Sequence, residues 1–298
     1  MKFFKNKWSI LILLSITWGS SFILIKKSLE VFSPYQVGAI RVIVSGIIFM
    51  WIGFPALKKM DRKTLSWLIV AGALGNFVPM FLFPMAQTKV SSSLAGILDS
   101  LVPVFVLIIG FIFFKIRSKT IQWMGTVVGF IGAASLMYFS DTAAGGSDMG
   151  YAMLVVLATA CYAGAALIIN KKLSHVPSLQ LSSGIFTVWI FPSVIILLFS
   201  GIFREFNTIT THWSGVGYLA VLSVIGTALA MLLYFRLIQI TSAVFASMVT
   251  YLIPVVAVFW GLLAGESFSV WYALGGVLIL AGIYMVQEKH SKESEKID

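Results

Sequence analysis

The stretch Ser91–Gly110, SSSLAGILDSLVPVFVLIIG, returns as Ser242–Gly261, SAVFASMVTYLIPVVAVFWG, at a constant offset of 151 residues. Six of the twenty aligned positions are identical, and they include the prolines Pro103 and Pro254. Each stretch is an apolar run of the length that a helix needs to cross a bilayer core, which is about 20 residues for about 30 Å. The repeat therefore predicts a duplicated chain that lies in a membrane.

The composition excludes a water-soluble protein. Of the 298 residues, 59% are hydrophobic and 11% are charged, and the mean hydropathy is +0.98, whereas soluble domains carry roughly 25% charged residues. The net charge of +10 could suggest nucleic acid, but the basic residues form short clusters between apolar runs and no continuous basic face. We therefore predict a lipid bilayer as partner and no nucleic acid.

Apolar runs of spanning length occur ten times along the chain. The sequence thus predicts an all-α polytopic membrane protein with two five-helix repeats, residues 8–139 and 149–287, followed by a tail at residues 288–298. Because five is odd, the second repeat enters the membrane in the opposite sense, as in inverted-repeat transporters. The predicted spans are Trp8–Ile25, Val37–Leu57, Ser66–Ala86, Ser92–Phe114, Thr120–Phe139, Met149–Asn170, Leu179–Phe203, Trp213–Phe235, Ala243–Leu263 and Ser269–Gln287.

The distribution of Lys and Arg predicts the orientation. Sixteen of these residues fall on the side that carries both termini, and four (Lys26, Lys27, Lys89 and Arg204) fall on the other. Since basic residues concentrate in cytoplasmic loops, both termini are predicted to be cytoplasmic and the protein to lie in the cell (inner) membrane.

The order of several short motifs resembles the EamA family of the drug/metabolite transporter superfamily. These motifs are Trp18-Gly19-Ser20-Ser21-Phe22, Arg41, Leu101-Val102-Pro103, Trp123-Met124-Gly125, Leu252-Ile253-Pro254 and Gly265-Glu266. The resemblance covers nearly the whole chain and implies a ten-helix inner-membrane carrier, often an exporter of amino acids or other small metabolites. One departure is that Phe114-Lys115 stands where the second repeat has Gly265-Glu266, so a role for that acidic position carries over only to Glu266.

Three ionisable residues are candidates for binding or pairing. Asp99 is the only acid well inside a span, where a charge typically costs about 2.5–3.5 kcal/mol, so it is predicted to bind substrate, to couple protons, or to make a structural hydrogen bond. Arg41 is expected mainly to snorkel to the outer surface or contact a helix end, with pairing to Asp99 or a substrate carboxylate as the alternative. Glu266 is expected to cap the next helix rather than to bind substrate.

Pro103 and Pro254 lie mid-span at equivalent places in the two repeats, so they are predicted to break their helices near a midplane site, as hinges or as static kinks. Polar and aromatic residues of both halves are further substrate-binding candidates, each of which could instead serve helix packing. They are Trp18, Asn76, Tyr162, Thr227, Thr250 and Tyr251.

The chain carries no phosphate-binding loop motif and no Cys/His metal grouping. No metal or other cofactor is therefore predicted, and the energy is expected to come from a gradient, with the proton as one candidate coupling ion. The predicted function is secondary transport of a small-molecule metabolite, with an amino-acid exporter favoured and a drug or nucleotide-sugar carrier as the alternative. A membrane-embedded enzyme is the rival class, but the sequence shows no recognisable pairing of a nucleophile with a base. A monomer is compatible with all of these predictions.

Overall fold

The computed structural model describes residues 6–90, 92–140, 148–203, 212–263 and 270–286. Within these ranges the chain is helical and contains no strand. Two π-helical turns, Ala73–Phe77 and Val224–Leu229, each join two of the α-helices into one continuous element. The α-helices are α1 (Lys7–Ser28), α2 (Pro34–Lys59), α3 (Arg62–Gly72), α4 (Val78–Gln87), α5 (Ser92–Asp99), α6 (Val102–Phe114), α7 (Thr120–Ser140), α8 (Met149–Lys172), α9 (Ser178–Phe199), α10 (Trp213–Ser223), α11 (Ala230–Ile240), α12 (Ala243–Ser247), α13 (Val249–Leu263) and α14 (Val270–Val286).

Six continuous helices of the described chain are long and apolar enough to cross a bilayer, with mean hydropathies of 1.8 to 2.3. They are α1, α2, α3–α4, α8, α9 and α10–α11. Shorter apolar helices cover Val102–Phe114, Ala243–Val256 and Leu274–Val286. The prediction of a multi-pass membrane protein is confirmed at this level. The seventh predicted span was drawn too long, because α9 ends at Phe199 and the chain then turns at Ser200–Phe203.

Short polar residues fix where several helices begin. Ser33 caps α2 in a reciprocal arrangement: its hydroxyl accepts from the Gln36 backbone N–H, and the Gln36 side chain accepts from the Ser33 N–H. Pro34 follows at the first helical position, where its missing N–H costs nothing. The Asp61 carboxylate accepts from the Lys63 and Thr64 backbone N–H groups at the start of α3, and the Asp148 carboxylate accepts from the Gly150 N–H at the start of α8. These caps place Arg41 two helical turns inside α2.

The fourth and ninth predicted spans each divide into two helices, and both breaks lie before the prolines that were predicted to break these spans. The first break, between α5 and α6, is at Ser100–Leu101 and precedes Pro103, while the break between α12 and α13 is at Met248, well before Pro254. A proline has no N–H for the carbonyl four residues earlier. Pro103 and Pro254 therefore each withhold a donor from one carbonyl, that of Asp99 in the first half and that of Thr250 in the second.

The two π-helical turns are themselves separated by the offset of 151, since Ala73 corresponds to Val224. Each turn holds one buried polar residue at the equivalent position, Asn76 in the first and Thr227 in the second. A π turn accommodates one extra residue within an α-helix and is frequently found at functional sites.

Helix pairs at the periphery pack through small residues. The axes of α7 and α14 approach so closely that a Cβ atom added to Gly282 would lie 2.6 Å from the Gly125 carbonyl oxygen and 2.6 Å from the Gly129 nitrogen. A Cβ atom added to Gly132 would likewise lie 2.9 Å from the Gly275 carbonyl oxygen. Small residues permit such backbone contact between membrane helices. The other closely packed pair is α2 with α9, and α2 also surrounds the centre together with α1, α4, α5, α6, α8, α11 and α13.

Candidate functional site

A cavity lies at the centre of the helix assembly, between elements of both halves. Its volume is about 70 Å³. In this conformation it therefore suits a small solute. The lining residues are Trp18, Ser21, Phe22, Ile25, Arg41, Phe83, Asp99, Val102, Tyr162, Met231, Tyr234, Thr250 and Ile253.

Eight of these thirteen lining residues form four pairs at the two offsets found in the sequence. Trp18 and Tyr162 are 144 residues apart, and the three other pairs are 151 residues apart. Those three pairs are Phe83 with Tyr234, Asp99 with Thr250, and Val102 with Ile253. Equivalent positions of the two sequence repeats therefore meet at one cavity, while Asp99 and Thr250 differ in charge and Phe83 and Tyr234 differ by a hydroxyl group.

Among the residues that the structure describes, Asp99 is the only acid that lines the cavity. Its side chain is buried, with 6% exposure, and its carboxylate makes no hydrogen bond to the residues that the structure describes. Among those residues the only ion pair within 4 Å is Lys27–Glu30, on the surface. A carboxylate without such compensation is costly in a membrane interior, so its charge is left for a proton or a cationic group in the cavity.

Arg41 lines the same cavity and is also 6% exposed. The expectation that it snorkels to the surface is wrong, because its side chain is buried and lines the cavity two helical turns inside α2. Its Nε donates a hydrogen bond of 3.0 Å to the Thr227 hydroxyl oxygen. No ion pair joins it to Asp99 within 4 Å in the described part of the chain. Within the described part of the chain, the cavity lining thus holds one cation and one anion that do not neutralise one another by direct contact.

Aromatic side chains form the walls. The Trp18 indole N–H donates to the Gly226 carbonyl at 3.1 Å, and its ring meets Tyr234 edge-on with centroids 5.1 Å apart. Tyr162 stacks on Phe83 at 5.8 Å. Trp18 and Tyr162 were candidates from the sequence, whereas Tyr234 was missed. The offset of 151 that relates it to Phe83 could have identified it.

Several other candidates lie outside the cavity lining. Tyr251 is fully buried, and its hydroxyl donates to the Thr126 carbonyl at 2.7 Å, so its polar group serves helix packing. Asn76 and Thr227 are buried but are not among the lining residues. Pro103 and Pro254 are buried next to the lining residues Val102 and Ile253. Glu266 lies outside the described residues, so its predicted capping role stays a prediction.

Long apolar helices around a buried, partly charged cavity are the architecture of a multi-pass membrane transporter. The EamA-like transporter family model matches this chain twice, over residues 6–138 and residues 149–287. The chain belongs to the EamA-like transporter family.

Relatives and a solved structure extend over almost the whole length. An "uncharacterized transporter" of Archaeoglobus fulgidus is 25% identical over 290 residues, which are 95% of this chain and 99% of that protein. The "uncharacterized inner membrane transporter YedA" of Escherichia coli K12 is 26% identical over 294 residues, covering 93% and 89% respectively. One protein of known crystal structure shares the fold with a TM-score of 0.67 at 15% identity, covering 93% of this chain and 95% of its own.

Proposed function

We propose that this protein is a secondary transporter of a small metabolite that carries both an amino group and a carboxylate, such as an amino acid. The observation that carries the proposal is that Arg41 and Asp99 line one cavity, both buried, without an ion pair between them. A zwitterionic solute would compensate both charges, because its carboxylate would pair with Arg41 and its ammonium group would pair with Asp99.

The size and walls of the cavity narrow the class of solute. A cavity volume of about 70 Å³ suits a small solute and disfavours a nucleotide sugar, which would also call for more than one cation beside its phosphates. Trp18, Tyr162 and Tyr234 offer apolar faces with polar tips. A small amphipathic amino acid fits this combination better than a strictly apolar drug.

Alternating access between two inverted five-helix halves is the mechanism that we infer. The four lining pairs, the two π turns at the same offset and the two separate matches to the family model support a duplication. With ten spans, both termini would face the cytoplasm, and the cavity would lie on the axis that relates the halves. Transport would be outward, with Asp99 as the group that exchanges the substrate ammonium for a proton.

Purified protein in proteoliposomes tests the proposal directly. We expect saturable flux of at least one of L-alanine, L-serine and L-threonine, and a response of that flux to an imposed pH gradient. Asp99→Asn keeps the shape of the side chain and removes its charge, so it should abolish flux or its pH response. Asp148→Asn alters an acid at the start of α8, away from the cavity, and should leave both unchanged.

Two results would contradict the proposal. Flux of a hydrophobic cation without flux of any of the three amino acids would indicate a drug carrier. Amino-acid flux with an unchanged rate and pH profile in Asp99→Asn would remove Asp99 from the mechanism and leave it a structural residue.

A further inference from the structure

The hydrogen bonds around Arg41 run in one direction. The Thr227 hydroxyl oxygen lies 2.9 Å from the Leu222 carbonyl oxygen, and it must donate its proton there because a carbonyl only accepts. Its lone pairs are then available to the Arg41 Nε–H, at 3.0 Å. Thr227 is fully buried, so no water competes for this place. The relay from Arg41 through Thr227 to Leu222 therefore fixes one edge of the guanidinium group.

The relay leaves the opposite edge of the guanidinium free. Of its five N–H groups, only the one on Nε has a hydrogen-bond partner among the described residues. The four N–H groups on the two terminal nitrogens form the fork that binds a carboxylate in bidentate fashion. Since Arg41 lines the cavity and Thr227 is not among the lining residues, this fork faces the cavity.

The π turn Val224–Leu229 makes the hydrogen bond between Thr227 and Leu222 possible. Leu222 is five residues before Thr227, and the widened turn lets the threonine hydroxyl reach that carbonyl. The same turn accepts a second cavity residue of the first half, because the Gly226 carbonyl receives the Trp18 indole N–H. The turn thus fixes the positions of two cavity side chains, Arg41 and Trp18, relative to one another.

The equivalent turn of the first half has no such partner. Its Asn76 is 1% exposed, and neither atom of its side-chain amide has a hydrogen-bond partner among the described residues. At the offset of 144 that relates Trp18 to Tyr162, the counterpart of Arg41 is Ile185. The carboxylate-binding arrangement is therefore built once, from Arg41 of the first half and Thr227 of the second.

We propose that Thr227 is a positioning residue, which engages Arg41 Nε so that the two terminal nitrogens bind the carboxylate of the transported solute. The inference rests on the proposed function, since it requires that a carboxylate solute pass through this cavity. It adds that selectivity for carboxylates depends on a residue that the solute does not touch.

The test compares Thr227→Val, which keeps the shape and removes the hydroxyl, with Thr227→Ser, which keeps the hydroxyl. The probe is whichever of L-alanine, L-serine and L-threonine the wild type carries fastest. The competitor is its decarboxylated amine: ethylamine, ethanolamine or 1-amino-2-propanol. We expect Thr227→Val to raise KM for the amino acid by about tenfold, the effect of one misplaced charged hydrogen bond. Inhibition by the amine should stay unchanged, and Thr227→Ser should retain the wild-type KM.

Ser45→Ala is the matched control for a loosened helix interface. Ser45 lies one turn from Arg41 on α2, and its buried hydroxyl donates to the Ser223 carbonyl at 3.2 Å across the same helix contact. This variant removes a hydrogen bond without touching Arg41, so KM should stay within about twofold of the wild type.

A double-mutant cycle with Arg41→Gln decides whether Thr227 acts through Arg41. We expect Thr227→Val to raise KM about tenfold when Arg41 is present and to add nothing when it is absent. Equal effects in both backgrounds, or equal losses of amine and amino-acid binding, would overturn the positioning role while leaving the proposed function intact. A wild type that carries none of the three amino acids would overturn the proposed function itself, and this inference with it.

Discussion

Replacing Gly282 by alanine tests whether α7 and α14 pack backbone to backbone. The added Cβ atom would lie 2.6 Å from both the Gly125 carbonyl oxygen and the Gly129 nitrogen, whereas ordinary contacts begin at 3.4 Å. These neighbours are backbone atoms that cannot rotate away, so the helices must separate locally by about 0.8 Å. Overpacking of this kind costs roughly 1–3 kcal/mol, and we expect about 2 kcal/mol here.

Gly276→Ala is the matched control, because Gly276 lies on the same helix and an added Cβ would meet nothing within 4 Å. Both changes carry the same gain in helix propensity, about 1 kcal/mol at most, so the difference between the two variants isolates the steric cost. The assay is thermal unfolding of purified protein in detergent, in which Gly282→Ala should melt roughly 4–8 °C below Gly276→Ala. Equal melting temperatures would refute the close approach of these two helices.

Two further predictions concern packing and topology. Tyr251→Phe removes the donor to the Thr126 carbonyl and should destabilise the protein by about 1 kcal/mol in the same melting assay. Amino-acid flux should persist in this variant because Tyr251 is outside the cavity lining. A loss of flux would show that Tyr251 belongs to the site. In a Cys161→Ser background, single cysteines at Asp61 and Arg117 should react with an impermeant maleimide only after the cells are opened, whereas one at Thr88 should react in intact cells; the reverse pattern would invert the topology.

The helices and part of the site were predictable because each depended on a signal within the sequence itself. Apolar runs of spanning length predicted the long helices, and an acid inside such a run singled out Asp99. Trp18, Tyr162 and Thr250 were candidates as aromatic or polar residues within spans of both halves, and all three line the cavity. Arg41 was misjudged because its depth was counted from Val37, whereas the Ser33 cap starts the helix at Pro34.

Other features had no sequence signal. The π turn Val224–Leu229 reads VIGTAL, which differs in no way from an ordinary apolar helix, because the extra residue is accommodated by the packing around it. The break at Met248 contains neither glycine nor proline. The Arg41–Thr227 contact joins residues 186 apart in the chain, so only the packing of α2 against the second half could reveal it.

The unequal contribution of the two halves to the Arg41–Thr227 contact also has a consequence for the conformational equilibrium of the empty carrier. In a transporter built from inverted repeats, the inward-open and outward-open forms arise when the two halves exchange conformations. Identical halves would make those forms equal in free energy, but here one half contributes Arg41 and Asp99 while the equivalent positions are Ile185 and Thr250. A difference of 1.4 kcal/mol shifts such an equilibrium about tenfold. The unequal lining would therefore give the empty carrier a preferred side of the membrane.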